Sequence, residues 1–142
     1  MRPVYGILSP AFLFAGVGVY LLFRDLSVLP VFRLFPLAAS GENPAVTLPP
    51  SLFADILRFN VAGMLWLVSG ILFFRFLWFG NTAMQNRYIA GFCIVAASLE
   101  IAQISPRVPG TFDPLDLLFM ALGAAGEKLV HAGVAKKRPV KQ

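Results

Sequence analysis

The groups in this chain that could do chemistry stand at the edges of apolar runs. Glu100, Gln103 and Arg107 close one run, Asp113 and Asp116 open the next, and Arg58 and Asn60, with Asp55 nearby, open an earlier one. A carboxylate beside a cation can act as a general base or hold a ligand through charge-assisted hydrogen bonds. An arginine fork can clamp a phosphate or a carboxylate through two parallel bonds. On this basis Glu100 and Asp116 are candidate catalytic residues. Arg58, Asn60, Gln103, Arg107 and Asp113 are candidate ligand-binding residues.

Each candidate also has a structural alternative. Glu100 can be half of an ion pair that fixes helix packing. Asp113 fits a helix N-cap, Pro114 the first helical position and Asp116 the third. Phe112 and Leu117 then fall where a hydrophobic staple would form. Arg58 can anchor a helix at a membrane interface, and Asn60 can hydrogen-bond a neighbouring helix. Arg107 can bridge to Asp113 as a loop staple. Arg75 lies among Phe73, Phe74, Phe76, Trp78 and Phe79 and reads as a snorkelling arginine in an interfacial aromatic belt. Glu127 and Lys128 are expected to pair or to snorkel.

Standard chemical motifs are missing. There is no Walker loop, dinucleotide fingerprint, HExxH, GxSxG or CxxC. Cys93 is the single cysteine and His131 the single histidine, and they fall in different segments. No disulfide framework, metal site or cofactor is therefore expected. The net charge of +5 does not indicate nucleic acid. Its clearest cluster, Lys136, Lys137, Arg138 and Lys141, follows an apolar segment, where basic residues set topology or touch anionic lipid.

The elements that position these residues follow from composition. The 142 residues are 58% hydrophobic and only 13% charged, whereas a soluble domain is about 45–50% apolar and about 25% charged. The excess apolar surface calls for lipid. Four apolar segments are expected as membrane helices, at about residues 4–23, 52–79, 88–105 and 114–133. They form a single domain over residues 1–135, followed by a basic tail at 136–142. The first segment is too long for a signal-peptide core and ends in Arg24-Asp25, which favours a retained helix. Prolines and glycines mark residues 24–51 as a loop. Small residues recur in the third and fourth segments, where they let helices approach closely in lipid. The expected fold is all-α, a bundle of about four transmembrane helices.

Basic residues orient the bundle. Under four crossings Arg2, Arg87 and the basic tail share one side, and no acid lies among them in those loops and tails. The positive-inside rule puts both termini in the cytoplasm. The candidate residues, with Arg24 and Asp25, then gather at the outward face. Ionisable groups there should meet a partner or water, because lipid exposure at the bilayer centre costs at least about 2.5–3.5 kcal/mol.

The C-terminal half also resembles a known family. Leu99-Glu100-Ile101-Ala102-Gln103, then Arg107, then Phe112-Asp113-Pro114-Leu115-Asp116-Leu117-Leu118, then Gly123, is similar to the VanZ-like pattern. That pattern has a Glu-x-x-Gln helix end, an arginine in a short loop, an Asp-x-x-Asp pair opening the last helix, and a glycine about two turns on. Asn60 with Gly70 fits the family's second helix loosely, since no proline lies between them. The motif match covers roughly residues 98–126. The resemblance implies a small multi-helix protein of the bacterial cytoplasmic membrane. The family's founding member is associated with low-level resistance to teicoplanin, a property that motif similarity does not transfer to this chain. Glu100, Gln103, Arg107, Asp113 and Asp116 match the family pattern.

The leading functional expectation is an envelope role. The outward cluster would bind a lipid or cell-wall-precursor headgroup, with Arg58 and Arg107 holding anionic groups. One alternative is a membrane-embedded enzyme using Glu100 and Asp116. Another is a small transport or assembly subunit that forms a homo-oligomer through its small-residue faces. Membrane lipid is an expected partner in all three.

Overall fold

The computed structural model describes residues 1–23, 51–108 and 110–136. The expectations placed on Arg24, Asp25, the loop at residues 24–50, the side chain of Arg58 and the tail from Lys137 lie outside the described residues.

The described residues are all-helical: α1 (Arg2–Phe23), α2 (Leu52–Phe59), α3 (Val61–Leu77), α4 (Thr82–Ala102) and α5 (Pro114–Lys136). Helix α3 is the central element. Gly6, Ser9 and Gly16 of α1 face Phe76, Ser69 and Trp66 of α3, so α1 and α3 run antiparallel. Gly70 faces the Phe92 ring and Phe74 stacks on Tyr88, so α4 is antiparallel to α3 as well. Gly123 lies against Met64 and Val68, and Glu127 binds Arg75, so α5 runs parallel to α3. Helix direction thus alternates along the chain.

Small side chains make these contacts close. Ser9 Oγ donates to the Ser69 carbonyl at 3.0 Å, and Ser69 Oγ donates to the Ser9 carbonyl at 2.8 Å. This reciprocal clasp satisfies both hydroxyls where neither meets water. A Cβ at Gly16 would stand 2.5 Å from the Trp66 ring, and one at Gly123 would stand 2.8 Å from Met64 Cγ. Glycine at these places lets the bulky neighbour of the adjoining helix seat itself against backbone.

Among the described residues, two helical runs are long and apolar enough to cross a membrane: Arg2–Phe23, and Leu52–Leu77 taken through Asn60. The lengths of α4 and α5, 21 and 23 residues, would suffice to span. They are more polar, with Arg87 and Glu100 in α4 and Asp116, Glu127 and Lys128 in α5.

Polar side chains are buried together with apolar ones, and many large apolar side chains are exposed. Buried groups include Ser9, Asn60, Ser69, Arg75, Gln85 and Glu100. Exposed ones include Ile7, Phe14, Leu129 and Val130, at 67–74% exposure for these four.

Three of the expected segments need correction. The second segment remains one candidate span but carries a one-residue turn at Asn60, between α2 and α3, and its helix ends at Leu77 rather than Phe79. The third segment starts at Thr82 rather than Tyr88, because Asn81 Oδ1 accepts from the Met84 amide and caps the helix upstream of the apolar run. It ends at Ala102, so Glu100 stands about 3 Å from the helix end rather than a full turn inside. Hydropathy reports the apolar stretch, whereas capping sets the helix end. The fourth segment continues past Gly133 to Lys136.

The snorkelling expectation for Arg75 is also corrected. Its side chain is 8% exposed and meets Glu127 of α5 through Nε and Nη2, the latter at 2.9 Å from Oε2. A carboxylate at matching depth on a parallel helix satisfies the guanidinium, so it has no need to reach the interface.

Candidate functional site

Three helix termini converge on one polar cluster. The α5 N-terminus supplies two carboxylates. Asp113 Oδ1 accepts from the Leu115 amide at 2.9 Å, which is an N-cap bond, and the Asp116 amide donates to the Asp113 carbonyl at 3.0 Å. The capping expectation for Asp113 holds. The same residue also joins the cluster, because its other oxygen faces Asn60 at 3.4 Å.

Asn60 comes from the α2–α3 junction and is 2% exposed. Its Nδ2 donates to Asp116 Oδ1 at 2.9 Å and lies near Asp113 Oδ2. One amide therefore spans both acidic residues of the Asp-x-x-Asp pair. The break at Asn60 leaves the backbone nearly helical, with φ −100° and ψ −34°, and its amide still donates to the Ile56 carbonyl. The junction thus holds Asn60 in place with little loss of backbone hydrogen bonding.

The third terminus is the end of α4. Gln103 Nε2 donates to Glu100 Oε2 at 3.0 Å. Glu100 is 7% exposed, and its Oε1 is buried with no partner in hydrogen-bond geometry among the described residues. The Asp113 backbone lies beside this carboxylate, and the charges of Asp116 and Asp113 act on it. The chain then unwinds through turns in which Gln103, Ile104 and Ser105 donate to carbonyls three residues back. Gly110 has φ +126°, a region that side chains rarely enter, and a Cβ there would stand 2.4 Å from Gln103 Oε1. Gly110 thereby lets the loop close over the Gln103–Glu100 pair.

Asn60, Glu100, Gln103, Asp113 and Asp116 are thus brought together. Arg107 is exposed in the loop, its amide lies 3.4 Å from Ser105 Oγ, and it forms no ion pair among the described residues. The expected staple from Arg107 to Asp113 is absent among them. The assembled groups are carboxylates and primary amides, which can present several acceptors and amide donors to one ligand. No set of His, Cys, Asp and Glu among the described residues is arranged to hold a metal ion.

A second polar cluster, at the opposite end of α3, was not anticipated. It joins the Arg75–Glu127 pair to a 2.6 Å hydrogen bond between the Tyr5 hydroxyl and His131 Nδ1. Gln85 is buried beside it and donates to the carbonyls of Arg75 and Trp78, which the end of α3 leaves without helical partners. Trp78 stacks on Tyr88 at 5.1 Å, so the aromatic run around Arg75 packs helix on helix. The available signal was the four-residue spacing of Glu127 and His131, which puts both on one face of α5.

Two principal cavities lie away from the acidic cluster. The larger, about 390 Å³, runs between α1, α3 and α5 and has Glu127 and His131 in its wall. The smaller, about 290 Å³, lies between α1 and α3 beside Ser9 and Phe73. Compared with protein-family models, curated proteins and solved structures, the chain finds no match.

Proposed function

We propose that the chain is a multi-pass protein of the bacterial cytoplasmic membrane, with α1, α2–α3, α4 and α5 as four crossings and both termini in the cytoplasm. The alternating helix directions and the exposed apolar side chains support the crossings. The distribution of Arg2, Arg87 and the basic tail supports the orientation. The acidic cluster then faces outward.

In this proposal the chain is VanZ-like and the cluster binds the headgroup of a lipid or a cell-wall precursor. One observation carries it: Asn60, Glu100, Gln103, Asp113 and Asp116 converge from separate helix ends, and one buried Glu100 oxygen has no partner in hydrogen-bond geometry among the described residues, with the Asp113 backbone beside the carboxylate. Buried polar atoms are almost always satisfied, so an orphan acceptor in such a cluster suits a donor brought by a ligand. Arg107, exposed and without an ion pair among the described residues, would meet an anionic part of the same headgroup, together with Arg58.

The test compares wild type with Glu100→Gln and Arg107→Gln, each purified in mild detergent. Binding of glycerol phosphate and of a peptidoglycan stem peptide is measured by calorimetry, with helicity measured in parallel. Retained helicity with at least about tenfold weaker binding of one probe is expected. Unchanged binding in both variants, with folding intact, would refute the proposal.

A further inference from the structure

The acidic cluster holds more acceptors than donors. Two primary amides serve the carboxylates of Glu100, Asp113 and Asp116. Asn60 Nδ2 reaches both Asp116 Oδ1, at 2.9 Å, and Asp113 Oδ2, at 3.4 Å, so both of its N–H bonds are committed. Gln103 Nε2 donates to Glu100 Oε2 at 3.0 Å. The Leu115 amide donates to Asp113 Oδ1 as the helix cap. Glu100 Oε1 is then left as a buried acceptor without a partner in hydrogen-bond geometry among the described residues. Glu100 is 7% exposed, too deep for bulk water to solvate that oxygen.

Charge points the same way. The charges of Asp116 and Asp113 act on Glu100, and Glu100 forms no ion pair among the described residues. A purely anionic headgroup would meet like charge here. A compact cation with N–H donors supplies both missing parts, a counter-charge and a hydrogen bond to Oε1. The shape of the cluster suits a group that enters from outside. Asp113, Asp116 and Gln103 at its rim are half-buried, whereas Glu100 and Asn60 form a buried floor. Arg107 follows in the adjoining loop and is exposed. Acceptors and a cation are thus offered side by side.

We infer that the cluster is a site for a primary ammonium, the cationic end of a zwitterionic headgroup, with Glu100 Oε1 accepting one of its N–H bonds and Arg107 meeting the anionic part. The inference rests on the headgroup reading above and narrows it to one charge type. A primary ammonium places three donors on one small nitrogen. A trimethylammonium has the same charge, greater bulk and no N–H donor. An ethanolamine lipid and a cell-wall precursor with an amino side chain both present the required group.

The experiment is calorimetry on the purified full chain in mild detergent. The probes are glycerophosphoethanolamine, glycerophosphocholine, glycerophosphoglycerol, and a stem peptide blocked at its amino terminus, with its side-chain amine either unmodified or acetylated. Wild type should bind glycerophosphoethanolamine at least about tenfold more tightly than the choline and glycerol forms, the worth of one charge-assisted hydrogen bond. Glu100→Gln should lose that preference and bind glycerophosphoglycerol no more weakly than wild type. Arg107→Gln should weaken all three phosphodiesters and keep the preference. Tightest binding of the unmodified peptide, lost on acetylation, supports the site and assigns its ammonium to a cell-wall precursor. Tightest binding of glycerophosphoethanolamine supports it and assigns the ammonium to a lipid. Equal binding of the three phosphodiesters by wild type, with both peptide forms alike, overturns the inference and leaves the headgroup reading standing. An ammonium preference that survives Glu100→Gln with helicity intact also overturns it. The comparison of probes on wild type needs no variant, so misfolding of Glu100→Gln does not shield the inference. Absence of binding of every probe overturns the headgroup reading and the inference with it.

Discussion

Replacing Glu127 by Gln tests the packing of α3 on α5. The change keeps side-chain shape and removes one charge, leaving the Arg75 guanidinium buried at 8% exposure without its counter-ion. A snorkelling, solvated Arg75 would make the pair worth about 0–1 kcal/mol. With both partners buried, removing one is expected to cost about 3–5 kcal/mol, because the remaining charge keeps its desolvation penalty without the attraction that offset it. The double replacement Arg75→Met with Glu127→Leu removes both charges and should recover most of that loss. The assay is reversible unfolding in mixed micelles as the fraction of sodium dodecyl sulfate rises, followed by circular dichroism. A coupling energy comes from the four-member cycle. Destabilisation by Glu127→Gln of less than about 1 kcal/mol, with no coupling, would refute the buried pair and with it the lock between α3 and α5.

The same titration checks three further expectations. Asn60→Ala removes the amide that reaches Asp116 and Asp113, and hydrogen bonds to charged groups put its cost at about 1.5–3 kcal/mol. Gly110→Ala forces a side chain to φ +126° and against Gln103; a loss of about 1–3 kcal/mol is expected, with greater protease sensitivity in residues 103–113 as a second readout. Ser9→Ala breaks half of the clasp with Ser69 and should cost about 0.6 kcal/mol, the mean for interhelical hydrogen bonds in membranes; a loss beyond about 2 kcal/mol would show that the serines do more than pair.

Much of the acidic cluster was legible in the residues. Asp113, Pro114 and Asp116 carry a helix start in their types and spacing, because capping is a local matter of which side chain can reach which amide. The four-segment pattern brought Glu100, Gln103 and Asn60 to the same end, since hydropathy and alternation fix depth. What the residues did not carry was the pairing. That Asn60 bridges both aspartates, that Gln103 rather than an arginine is the described partner of Glu100, and that Gly110 closes over that pair depend on rotations of helices about their own axes.

The apolar character of this chain is plain in the sequence, and the helical class of its described residues agrees with apolar runs of helix rather than strand length. The turn at Asn60 in the second segment and the start of α4 at Asn81 were decided by polar contacts and caps that hydropathy does not register. The second cluster owes its partners to tertiary structure, although the spacing of Glu127 and His131 already put both on one face of α5. Arg75 looked like a surface anchor because its neighbours in sequence are aromatic. It is buried because its neighbour in space, from a helix some fifty residues on, is the Glu127 carboxylate. A charge takes its meaning from what surrounds it in three dimensions, and in this chain those surroundings come from parallel packing of α5 on α3.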